Sequence, residues 1–142
     1  MGNIMLKADF TKYTLALIQG NKIIYSSSGH GLKPLVDCLE NYRQTKEKLI
    51  LHDKVTGLAA AKLAVYSGII SGVHTLLVSQ PAKVFLADHG IELHAQEVVA
   101  NILKKDRSSL CPGEVIALNA TDQDAFIKQL ISFTSGLPHQ KI

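Results

Sequence analysis

Apolar residues along this chain follow two rhythms, and the changes of rhythm divide it into elements. Tyr13 to Gln19 and Lys22 to Ser27 are rich in apolar and β-branched residues. They flank Gly20-Asn21, a two-residue hairpin signal. From Leu32 the spacing turns helical, through Leu35, Val36, Leu39 and Tyr42, and fades into the charged stretch Arg43 to Lys48. Leu49-Ile50-Leu51 reads as a short buried strand ending at His52-Asp53. A very apolar helix is predicted near 54–69, carrying Gly57, Ala59, Ala60, Ala61 and Ala64. Small residues on several of its faces predict tight packing on more than one side. Gly68 and Gly72 mark its end and the loop beyond.

Val73 to Ser79 predicts the next strand, and Pro81 opens a helix that stops at Gly90, a C′ glycine. Ile91 to Ala95 predicts another strand, followed by an amphipathic helix through Val98, Val99, Ile102 and Leu103. A polar loop, Lys104 to Leu110, delivers Cys111-Pro112-Gly113-Glu114. Val115 to Leu118 reads as a strand, and Thr121-Asp122 opens a helix with Ala125, Phe126, Leu130 and Ile131 on its inner stripe. Residues 3–11 form a short predicted helix with Ile4, Leu6 and Phe10 inward, and a frayed tail is expected from Gly136. The order is an N-terminal hairpin followed by alternating helices and strands. It predicts an α/β sandwich of layers whose later strands run parallel, because helices connect them.

Composition narrows the class. The chain of 142 residues suits one domain, 1–142, with no repeat and no boundary. A hydrophobic fraction of 46% with 19% charged residues excludes disorder. The net charge of +3 comes from 15 basic residues that are scattered, so no nucleic-acid footprint is visible. Two cysteines, Cys38 and Cys111, are too few for a disulfide scaffold, and the N-terminus lacks an apolar signal core. No apolar run reaches the roughly 18 residues that span a bilayer. The expectation is a soluble cytoplasmic protein with no membrane role.

Candidate chemistry centres on two places. Asp53 is a candidate general base or ligand for a substrate hydroxyl; before a helix it would equally serve as an N-cap. Lys54 would hold an anion near the positive helix end, or stand as an ordinary solvated lysine. Pro112 at a first helical position would put Cys111 at a helix start, where the macrodipole raises the thiolate fraction. Glu114 opposes the thiolate by charge, or takes the thiol proton as a base. Cys38, among Leu35, Val36 and Leu39, reads as a buried small hydrophobe.

Ser28-Gly29-His30-Gly31 offers backbone amides and an imidazole on a loop, suited to gripping phosphate or to a plain hairpin-to-helix connection. His52 adjoins Asp53, but strand neighbours point to opposite sides, so the two are not expected to act together. His74, His89 and His94 share no metal-ligand spacing. No metal or other cofactor is expected.

The element order, with Asp53-Lys54-Val55 and Pro81-Ala82-Lys83-Val84-Phe85 at two helix starts, resembles the cytidine-deaminase-like fold. The resemblance implies a three-layer sandwich in which each motif opens a helix at the sheet edge, with Gln80 leading the second. Asp53 to Ala61, together with Leu110-Cys111-Pro112-Gly113-Glu114, more narrowly resembles a small prokaryotic family of uncharacterised proteins grouped with that fold. It spans roughly residues 4 to 134.

In the deaminases, His and Cys ligands hold zinc and a separate Glu carries protons. Here Asp53 stands for the His, Val55 for the Glu, and Ala82 and Phe85 for the cysteines. Zinc-dependent deamination is therefore not expected. The resemblance implies a metal-free binding domain for a nucleoside, nucleotide or similar heterocycle; His30, Gly31, Lys54 and Gln80 are the candidate ligand contacts. The alternatives are a metal-free enzyme using Asp53, Cys111 and Glu114, and a homodimeric interaction subunit.

Overall fold

The computed structural model describes residues 6–102, 112–119 and 122–128. The hairpin forms from β1 (Leu15–Gln19) and β2 (Lys22–Ser27), turning at Gly20, whose φ of 62° suits glycine. Helix α1 (Lys33–Asn41) starts with Pro34 in its first turn, where a missing N–H costs nothing. There follow β3 (Leu49–Thr56), α2 (Leu58–Ser67), β4 (Ile70–Ser79), α3 (Gln80–Asp88), β5 (Glu92–Val99) and α4 (Pro112–Asn119). Residues 123–128 are helical.

The sheet order is β2-β1-β3-β4-β5. β1 runs antiparallel to β2 and β3, while β3, β4 and β5 are parallel, as helical crossovers require.

Strand alternation sends residues to two unlike faces. Leu15, Leu17, Leu49, Leu51 and Val73 join a core with Leu35 and Leu39 of α1, most of α2, Ala82 and Leu86 of α3, Ala117 of α4, and Phe126. Helix α2 is the hub. Leu58, Ala59, Ala60, Ala61, Leu63 and Ala64 are all buried, so its small residues do admit neighbours on several sides. The intervening residues Ala16, Ile18 and Ile50 meet a smaller cluster with Leu6, Phe10 and Tyr13. The described helices α1 to α4 therefore share one face, and the segment 6–13 packs on the other.

Five sequence expectations are corrected. Residues 6–11 are not helical: the Asp9 carboxylate takes the Thr11 amide (3.1 Å) and hydroxyl (2.5 Å), a local turn that competes with helix bonds. Strand β3 continues through Asp53 to Thr56, because it is paired on both sides. Asp53 lies in register with Leu15 and Thr75, and the Lys54 amide donates to the Thr14 carbonyl at 2.9 Å. Asp53 is thus not an N-cap; Gly57 fills that position.

The helix expected from Val98 is strand instead: Val98 and Val99 extend β5, in register with Val78 and Ser79. Their apolar spacing fits either element, and the open edge of β4 decides. Leu103 lies outside the described residues. The strand expected over Val115 to Leu118 is part of α4, which Pro112 opens at the first turn. Gly72 sits within β4 rather than in a loop, and a Cβ there would lie 2.9 Å from Ile50 Cδ1. The close approach of β3 explains the glycine.

Candidate functional site

Where β3 ends and α2 begins, the strand, the hairpin and the loop before α1 leave a pocket of about 200 Å³. Its polar side is built from Asp53, Lys54, Thr14 and the His30-Gly31 loop; Leu15, Leu35, Val55 and Ile102 supply apolar walls. The loop is held by Thr14, whose hydroxyl lies 3.1 Å from the Ser27 carbonyl and 2.6 Å from that of Gly29. Gly31, with φ of 79°, lets the chain turn into α1. Gly57, Ala59 and Ala60 bring the positive end of α2 to the pocket.

Asp53 is half-buried, and burial pushes its carboxyl up to about 7 against the lowering effect of the Val55 amide. Near neutrality the group exists both protonated and ionised, so it can donate as well as accept a hydrogen bond. Cys38, fully buried in α1, has its thiol pushed up to about 12 by burial and then by the Asp53 charge. It is an inert core residue.

The structure gathers four of the expected site residues, Asp53, Lys54, His30 and Gly31, in one pocket. Gln80 is not among its lining residues; it is exposed at the start of α3. Cys111 lies outside the described residues, and so does the side chain of Glu114, although Glu114 falls within α4.

A second constellation escaped sequence reasoning. His52, His74 and His94 occupy the same register across β3, β4 and β5. Ring centroids are 5.1 Å apart for His52–His74 and 4.6 Å for His74–His94. At the inner end the Tyr13 hydroxyl lies 2.8 Å from His52 Nδ1. At the outer end His94 Nε2 lies 2.9 Å from Glu92 Oε2. His52 is fully buried, and its Nε2 has no hydrogen-bond partner. The available signal was one histidine in each of three predicted parallel strands; what was missing was the register.

Zinc does not fit the two helix starts. They present Gly57, Leu58 and Ala59 on α2, and Ser79, Gln80, Pro81 and Ala82 on α3. The Ser79 hydroxyl already accepts the Ala82 amide at 3.3 Å as an N-cap. Among the described residues no three of His, Cys, Asp and Glu converge as a metal site. Among them, too, no helix is long and apolar enough to cross a membrane.

Fold and site together define an α/β protein with an open five-stranded mixed sheet and a small, mainly apolar pocket with a few polar groups at the end of β3. The chain belongs to the DUF1893 family, a domain of unknown function whose family model matches residues 4–134. It is similar to the crystal structure of a DUF1893 family protein, TM1506 of Thermotoga maritima, with 25% identity and a TM-score of 0.73. That likeness covers 87% of this chain and 82% of the other. No curated protein matches the chain.

Proposed function

We propose that the protein binds a compact polar small molecule in the pocket between β3, α2 and the His30 loop. The observation that carries this reading is the convergence of Asp53, Lys54 and His30 on one concave space. A few polar groups gathered in a cleft with apolar walls are the usual make-up of a ligand site. A carboxyl poised near 7 offers a donor and an acceptor together, which suits the amide or amino edge of a heterocycle, or a diol.

Size sharpens the choice. The pocket of about 200 Å³ is smaller than the roughly 300–1,000 Å³ of sites for drug-sized ligands. A single nucleobase or a sugar is the better fit, and a whole nucleotide would have to extend beyond the pocket. Relationship to the deaminase-like fold is part of this reading, supported by the strand order and by two parallel crossover helices that begin at neighbouring strand ends. A three-layer sandwich would need a helical layer over the second face that the described residues do not supply.

Thermal-shift and calorimetric titration with bases, nucleosides and simple polyols tests the proposal. Saturable binding that Asp53→Asn and Lys54→Ala both weaken is the expected result. Binding that neither variant changes would place the ligand elsewhere, and no binding by any of the three classes would overturn the reading.

A further inference from the structure

We propose that the row Tyr13–His52–His74–His94 is a proton-operated latch. It holds the segment 6–13 on the second face of the sheet at neutral pH and releases it on acidification. The row is independent of the pocket, because β3 alternation sends His52 to the face opposite Asp53.

The latch is a directed chain of hydrogen bonds. The Asp9 backbone amide donates to the Tyr13 hydroxyl oxygen at 3.1 Å, and that hydroxyl lies 2.8 Å from His52 Nδ1. In the latch, Tyr13 gives its own proton to Nδ1. His52 is then neutral, with its remaining proton on Nε2. Leu6 and Phe10 dock beside this chain, packing with Tyr13, Ala16, Ile18 and Ile50; Phe10 meets Tyr13 edge-on at 5.8 Å.

Protonation reverses the inner bond. A proton on Nδ1 turns the acceptor into a donor, so the Tyr13 oxygen faces two donors and its own proton loses its acceptor. The new charge lies in a fully buried ring whose Nε2 has no partner to share it.

Among the described residues, the titratable and charged groups around the row come from three elements. The segment 6–13 supplies Tyr13, and Asp9 with Lys12 at 3.8 Å; β4 supplies His74; β5 supplies His94 and Glu92. Glu92 Oε2 lies 2.9 Å from Nε2 of the half-exposed outer ring. A charge on His94 would lie 4.6 Å from His74 and oppose a proton there, and His74 in turn stacks on His52. Each added proton thus opposes the next. Burial and the neighbouring imidazole hold His52 down to about 4, and His74 is lowered for the same two reasons despite Glu92.

The test is residue-resolved amide hydrogen exchange on the full chain, corrected for intrinsic rates, at about pH 7.5 and about pH 5. The amides of 8–13, led by Asp9, should lose protection by about tenfold or more while those of α2 and β4 keep theirs. His52→Asn, whose side-chain oxygen can still accept from Tyr13 but cannot charge, should abolish that step. His89→Asn, on the exposed end of α3, should leave it unchanged. A segment that keeps its protection at low pH, or a step that survives His52→Asn, would overturn the proposal. Should His52→Asn fail to fold, nitrogen NMR of the wild-type imidazoles decides. The latch requires neutral His52 with its proton on Nε2 at neutral pH, and a ring protonated on Nδ1 would sink it.

Discussion

His52 and Asp53 are consecutive residues of the same strand, yet their acid–base character is displaced in opposite directions. On the helix-covered face, the Asp53 carboxyl is pushed up to about 7; on the other face, the His52 imidazole is pushed down to about 4. Burial is the leading cause in both cases, because it penalises whichever form is charged. The surroundings differ. Asp53 borders an open pocket, whereas His52 is sealed between Tyr13 and His74. One face keeps a polar group available, and the other uses a polar group to hold a segment in place.

The largest effect that tests this contrast comes from packing. Leu51 is fully buried among the helices, so Leu51→Ala should cost about 3 kcal/mol in urea unfolding. Ile50, half-buried on the opposite face, should cost about half as much when cut to Ala. Equal losses would break the distinction between a closed face and a lightly covered one.

The next effect is electrostatic. Between pH 4 and 7 the unfolded chain has already released the Asp53 proton while the folded chain still holds it. Unfolding then releases a proton, and stability falls as pH rises through that window. Asp53→Asn should remove this fall and stabilise the protein at about pH 8 by on the order of 2 kcal/mol, with little change near pH 4. Denaturant midpoints measured across pH check the sign.

His52 has the opposite slope. Its folded value lies below its unfolded 6.5, so its contribution is complete above 6.5 and is lost as pH falls toward 4. His52→Asn should flatten the acid limb of the same profile, a difference of about 1 to 2 kcal/mol at about pH 4.5. Tyr13→Phe removes the hydroxyl that meets His52 and should cost about 1 kcal/mol at neutral pH, read by thermal unfolding. Lys54→Ala is the smallest expected change: the side chain is exposed, so stability should move by less than about 0.5 kcal/mol while ligand titration weakens.

Most elements were legible because their local signals agreed with their surroundings. Gly20-Asn21 sits at the hairpin turn, Pro34 and Pro112 lie in first helical turns, and Gly68 ends α2 with φ of 74°. The misreadings came where a neighbour overrode the local pattern. Val98 and Val99 have apolar spacing that fits a helix, but β4 offers them an unpaired edge. Asp53 looks like a cap in sequence, but partners on both sides keep it extended. The pocket was half-legible, because Asp53-Lys54 and His30-Gly31 stood out by residue type. Their meeting depends on the hairpin folding back beside β3.

By itself the sequence determined the alternation of elements from the hairpin to β5, the parallel run of strands joined by helices, and the small-residue helix at the centre. Those follow from periodicity and turn chemistry, which act over a few residues. Only the tertiary structure decided that Thr14, the His30 loop and Asp53 enclose one pocket, and that three histidines from separate strands align as a row. Register and strand order are set by packing across the sheet. A shift of one residue would have sent His52 to the helices and Asp53 to the other face.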